Sequence, residues 1–195
     1  MGYAIRTKHY SIRTEEAYVQ MSEIEECSSN PVAAIPHGDD SGKQLWLVAI
    51  FAHNEELQIV ACLESLAKAS ATHLLHAYVL ANGCNDHTET VVRDFALTHP
   101  WVTLISLTLG DKANAWNVFV HDIAPRAQVC FFVDGDIRVE PGSFDALFSA
   151  LRRSPEANAA AAVPSTGRNK KFLEQLVCEH YLVLGNLYAL RGDFV

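Results

Sequence analysis

Two carboxylates one residue apart, Asp134 and Asp136, follow directly on the apolar run Val129-Cys-Phe-Phe-Val133. Hard anionic oxygens at that spacing suit a divalent cation, Mg2+ or Mn2+, that also holds a diphosphate. Gly135 between them lets the backbone turn sharply and lets a ligand come close. An acidic turn that caps the next element carries the same local signature, so the deciding point is what else converges there. Three further polar clusters stand out: Ala52-His53-Asn54-Glu55-Glu56, then Asn82-Gly-Cys-Asn-Asp86-His87-Thr88, then Lys112 just after Gly110. Each has a plain structural explanation. Acidic groups favour the positive end of a helix dipole, Asp86 and Thr88 suit a helix cap, and Lys112 suits a solvated helix entry.

The elements that must position these clusters alternate. Residues 45–52 read as an apolar strand, and 54–69 as a helix with Leu57, Val60, Leu63, Leu66 and Ala67 turned inward. A strand over 76–81, a helix over 88–97 with Val91, Val92 and Phe95 inside, and a strand over 101–107 follow. Lys112–Ile123 reads as a third helix, 129–133 as a strand buried on both faces, and Ser143 as the cap of a helix to about Arg152. Residues 158–163 suit a fifth strand and 172–184 an amphipathic helix. Such alternation means βαβ units, a mainly parallel sheet and right-handed crossovers. In that architecture ligands bind beyond the carboxyl ends of the strands. All four clusters, 53–56, 82–88, 110–112 and 134–136, lie at that end, so one rim can hold one ligand.

Composition narrows the classes. Hydrophobic residues make up 49%, which supports a packed core, and the net charge of −8 argues against a general nucleic-acid surface. The five cysteines are scattered, with no Cys-x-x-Cys pair, which suits a reducing compartment and offers no zinc site. No signal peptide opens the chain and no apolar run reaches the length of a membrane span, so the expectation is a cytoplasmic protein, peripheral to a membrane at most. Breaker-rich residues 28–43 read as a linker between an N-terminal helical extension (1–27) and the globular part (44–195).

The order of the clusters carries a resemblance. Ile50-Phe-Ala-His-Asn-Glu-Glu56, Asn82-Gly-Cys-Asn-Asp-His-Thr88, Lys112-Ala-Asn-Ala-Trp-Asn117 and Phe132-Val-Asp-Gly-Asp136 together resemble family 2 glycosyltransferases, over about three-quarters of the chain. The resemblance implies the Rossmann-like GT-A fold and a nucleotide-diphospho-sugar donor. It implies that Ala52, His53, Asn54 and Glu55 stand where the family writes Pro-Tyr-Asn-Glu and cradles the nucleoside. Asn82 and Asp86 fall in the loop that reads the base, and Lys112 in a segment near the phosphates. Asp134 and Asp136 match the Asp-x-Asp motif, with Gly135 between them, the first carboxylate on the ribose and sugar side and the second on the metal. Ala81 replaces an Asp that commonly contacts uracil, which leaves the base open. Inverting transfer would also need a carboxylate base. Residues 185–195 resemble the segment just before the family's acceptor-side Glu-Asp motif, so the expectation is a chain incomplete at its C-terminus, with its base beyond Val195, its activity reduced or lost, and its acceptor unknown.

A second, shorter resemblance covers residues 5–19, which are similar to the first helix of the core-binding domain of tyrosine recombinases, integron integrases in particular, with Thr14 as N-cap. No recombinase Arg, His and Tyr set follows, so this stretch reads as a remnant or fusion, with Met21 as a native start. The alternatives to a glycosyltransferase are a DNA-binding recombinase remnant at the N-terminus, a non-catalytic scaffold of the same fold, and a nucleotidyltransferase. The last would need a Gly-rich basic loop after the first strand, which His53-Asn-Glu-Glu lacks.

Overall fold

Leu45–Ala52 (β2) is a strand whose last seven residues are all buried, because it lies at the middle of a sheet with both faces covered. In the computed structural model, which describes residues 3–5, 45–69, 73–166, 169–180 and 183–195, this sheet has seven strands. The others are β1 (Tyr3–Ile5), β3 (Leu74–Asn82), β4 (Val102–Leu107), β5 (Val129–Asp134), β6 (Ala159–Ala161) and β7 (Leu187–Arg191). Their spatial order is β1-β6-β7-β5-β2-β3-β4. Strands β4, β3, β2 and β5 run parallel, with Ala52 opposite Ala81 and Phe51 opposite Asp134. That register brings the ends of β2, β3 and β5 to one level.

Alternation along β2 divides the core in two. Trp46, Val48, Ile50 and Ala52 face helices α1 (Ile59–Ala69), α2 (Thr88–Ala96) and α4 (Ser143–Arg153), through Leu63, Val92 and Phe144 among others. Leu47, Ala49 and Phe51 face α3 (Lys112–Val118) and the π-helical turn Phe119–Ile123 that continues it, through Ala115 and Phe119. That turn ends at Ala124, which is extended as expected of a residue before proline. The mixed α/β, Rossmann-like class expected from the pattern is the one observed.

Several local expectations are corrected. The helix expected from Asn54 begins only at Ile59: Asn54 adopts a left-handed φ of 58°, and a turn bonded to the Glu55 carbonyl comes first. Leu57 therefore lies outside the helix and is 84% exposed, and Ala67 is exposed as well. Ser143 is the first residue of α4 rather than its cap, since Gly142 precedes it at φ 78° with no side-chain cap. The segment 187–191, read without a strand, is β7, which slots antiparallel between β5 and β6. Its Tyr188 ring stacks on Phe132 at 4.8 Å, and its hydroxyl accepts from Trp116 Nε1 at 3.0 Å. Tyr3–Ile5, placed in a helical extension by sequence, is a strand paired antiparallel with β6. The rest of that extension, the helix starting at Thr14 and the linker lie outside the described residues, whereas helix α5 (Lys170–His180) covers most of the amphipathic stretch expected at 172–184.

Candidate nucleotide-sugar site

The loops after β2, β3, β4 and β5 are tied to one another at the carboxyl end of the sheet. His53 Nδ1 lies 2.6 Å from the Asn82 carbonyl. A carbonyl only accepts, so Nδ1 carries the proton and Nε2 is left as an acceptor facing the exposed side, 3.4 Å from Asn54 Nδ2. Asn54 Oδ1 accepts from the Asn85 amide at 2.9 Å. Asp86 accepts from the Glu56 amide at 3.1 Å and from the amide and hydroxyl of Thr88 at 2.9 and 2.6 Å. Thr88 Oγ1 in turn accepts from the Glu55 amide at 2.7 Å.

The third loop joins through Asn82, whose side chain is 5% exposed and whose Oδ1 accepts from the Asp111 amide at 2.9 Å. Asn82, expected in the loop that reads the base, therefore has its side-chain oxygen engaged inside the protein. Gly83 sits at φ 59°, and a Cβ there would fall 2.6 Å from the Gly110 backbone, so these two loops touch only because residue 83 has no side chain. Asp111 then caps α3 by accepting from the amides of Ala113 and Asn114, which presents Lys112 at the helix entry. Lys112 Nζ forms an ion pair with Asp134 and lies 5.5 Å from the centre of the Phe51 ring.

Gly135 closes the arrangement. Its amide donates to the Phe51 carbonyl at 2.8 Å, and a Cβ there would lie 3.1 Å from that oxygen and 3.2 Å from Ala52 Cβ. Any side chain would push the two strand ends apart. Asp136 beyond it is exposed, and its carbonyl accepts from Arg138, whose other terminal nitrogen donates to Gln58 at 2.6 Å.

The structure thus brings His53, Asn54, Glu55, Asn82, Asp86, Lys112, Asp134, Gly135 and Asp136 to one rim, with Ala52 fully buried beneath. Partial burial pushes the Glu55 carboxyl above its ordinary value, and the negative charges of Asp136, Asp86 and Asp134 push it the same way against the lowering effect of His53. For Asp86 partial burial pulls upward, but the hydrogen bonds from Thr88 and the Glu56 amide outweigh it and hold the carboxyl below its ordinary value. Among the described residues no group of three or more His, Cys, Asp and Glu is disposed to hold a metal ion by itself. Asp134 and Asp136, whose charges reach Glu55, nevertheless offer hard oxygen donors that fit a cation whose remaining ligands are phosphate and water oxygens.

Asp111 and Arg138 were not singled out by sequence, and Thr88 only as a helix cap. Asp86-x-Thr88 and Asp111-x-Ala113 are short local bonding patterns that were legible in principle, whereas the contact from Arg138 to Gln58 spans 80 residues. Beyond Asp136 a cleft of about 350 Å³ opens between Ile137–Ser143 and the segment after β6, lined by Arg138, Val163, Ser165 and Leu187. Asp193, the last carboxylate, is exposed in the turn after β7.

A search of curated proteins finds no match to the chain. Among solved structures, the fold is similar to a mannosyltransferase from Pyrobaculum calidifontis in complex with GDP-Man and Mn2+, at 22% identity and a TM-score of 0.62, covering 77% of this chain and 45% of that one. It is also similar to glucosyl-3-phosphoglycerate synthase from Mycobacterium tuberculosis in complex with UDP, at 18% identity and a TM-score of 0.55, covering 77% of this chain and 57% of the other. The chain thus spans roughly half the length of these structures, and its sheet is that of the GT-A glycosyltransferase fold. Residues 47–189 match the sequence model of Glycosyl transferase family 2, and the chain belongs to that family.

Proposed function

We propose that this rim binds a nucleotide-diphospho-sugar and that the domain serves inverting transfer of the sugar to an acceptor. The observation that carries the reading is the mutual hydrogen bonding of four strand-end loops around Glu55, Asp86, Asp134, Asp136 and Lys112. His53, Asn54 and the Asn85–Asp86 loop form the nucleoside side, with His53 Nε2 as an acceptor for a base or ribose donor. Lys112 meets the diphosphate. Asp134 turns toward the ribose and sugar, and Asp136, aided by Asp134, holds Mg2+ or Mn2+. When bound, that cation supplies Lewis-acid stabilisation of the charge on the departing diphosphate. The ligands bound in the similar structures, GDP-Man with Mn2+ and UDP, support this donor class. The cleft past Asp136 is the acceptor side.

Calorimetry with UDP-, GDP-, CDP- and dTDP-sugars in Mg2+ or Mn2+ tests the reading. At least one donor is expected to bind in a metal-dependent way, and Asp136→Ala to weaken it by about a hundredfold, since a charge-bearing ligand of the metal is lost. No heat with any donor and either metal leaves a scaffold of the same fold as the answer.

A further inference from the structure

Of the four carboxylates at the rim, Asp134 alone forms an ion pair among the described residues, and its partner is Lys112. The Arg138 guanidinium donates to the Asp136 carbonyl and the Gln58 side chain rather than to a carboxylate. Lys112 Nζ lies 5.5 Å from the centre of the Phe51 ring, and a Cβ added to Gly185 would sit 3.6 Å from Nζ. Phe51 and Gly185 thus flank the ammonium that pairs with Asp134. Yet the Lys112 side chain keeps 48% of its surface exposed and Asp134 26%, so the pair is open to solvent and able to exchange. An ammonium group on a four-carbon stem can leave one anion for another without moving the backbone.

We propose that Lys112 is a positioning residue that occupies the cation place on Asp134 until a diphosphate draws it away, so that metal and diphosphate seat together and metal alone binds weakly. The inference rests on the donor-site reading above and adds an order to it. Without a diphosphate, a dication reaching Asp134 must displace the ammonium and suffers its repulsion. With one, the lysine moves to phosphate oxygens, and the freed carboxylate joins the shell of the ion. The negative field that Asp134 and Asp136 set up around Glu55 is then met by the metal, while the lysine serves the diphosphate.

The test follows Mn2+ by electron paramagnetic resonance in the full chain, alone and with inorganic pyrophosphate. Wild type is expected to bind Mn2+ weakly alone and much more tightly with pyrophosphate. Lys112→Met should bind Mn2+ alone about tenfold more tightly, from the lost repulsion and lost competition, and gain less from pyrophosphate. Lys112→Arg, which keeps the charge, should behave as wild type. A lysine that merely steadies the loop would not raise the metal-alone affinity while shrinking the gain from pyrophosphate. Equal Mn2+ affinity in folded wild type and Lys112→Met, with pyrophosphate enhancement intact in both, overturns the inference and leaves the donor site standing. Absence of Mn2+ binding in every condition overturns both.

Discussion

Glu55 and Asp86 lie at one rim and shift in opposite senses, Glu55 upward through partial burial and its carboxylate neighbours and Asp86 downward through its hydrogen bonds, which makes them a pair of pH probes. Asp86 is hydrogen-bonded in its charged form and held below its ordinary value of 3.8, so it adds stability above that pH and loses it as pH falls through the folded value. Asp86→Asn should cost about 1–2 kcal/mol at pH 7, with the gap narrowing as pH falls below 3.8 through the lowered folded value. Glu55, pushed above 4.5 first by partial burial and then by its carboxylate neighbours, prefers its proton in the folded state. Its ionisation therefore removes stability as pH rises from 4.5 through the raised value, and the penalty persists at neutrality. Glu55→Gln should raise the melting midpoint at pH 7 by about 1–3 °C and leave it unchanged near pH 3. Circular-dichroism melts of both variants from pH 3 to 7 check this, and curves shifting in the same sense for the two would contradict the assigned environments. A residue that destabilises the empty protein in this way is expected where a cation is to be held.

At the scale of the element, α1 shows how a rim loop and a core helix divide a continuous pattern. The 3.6-residue period runs smoothly from Leu57 through Leu63 and Leu66, and on periodicity alone all three face inward. The left-handed Asn54 and the turn on the Glu55 carbonyl swing the chain across the rim first, so that the helix starts late and Leu57 stays in solvent. Leu63, by contrast, is fully buried against β2. Leu63→Ala is expected to cost about 3 kcal/mol of unfolding free energy, and Leu57→Ala less than about 0.5 kcal/mol, as measured by urea titration. Equal losses would place Leu57 back in the core. Strand β7 teaches a related lesson. Residues 187–191 are short and partly exposed at Tyr188 and Arg191, so period and length were weak guides. What makes them a strand is the free edge of β5, which β7 pairs with from Val129 to Val133.

For the whole molecule, a ligand held by four loops of one sheet should stabilise the entire folded unit. Donor and metal at a hundredfold excess over their dissociation constant contribute about 2.7 kcal/mol, a rise in melting midpoint of about 5–10 °C for a domain of this size. Metal alone should give a much smaller rise. Differential scanning calorimetry decides the matter, and equal shifts with and without donor would mean that the metal binds elsewhere.

What the amino-acid sequence determined by itself was the architecture and the rim. Burial on both faces of a parallel strand leaves a continuous apolar run, and polar clusters placed after each run mark the carboxyl edge where a ligand can lie. Those signals are local, so 45–52, 129–133 and the clusters at 53–56, 82–88 and 134–136 were readable in order. Tertiary structure alone decided which polar atoms remain available. Asn82 turns its oxygen inward to Asp111, 29 residues away, and Lys112 meets Asp134 across 22 residues. Neither partner follows from periodicity, because a hydrogen bond between loops depends on how far apart the crossovers set the strand ends, and that distance exists only once the sheet has formed.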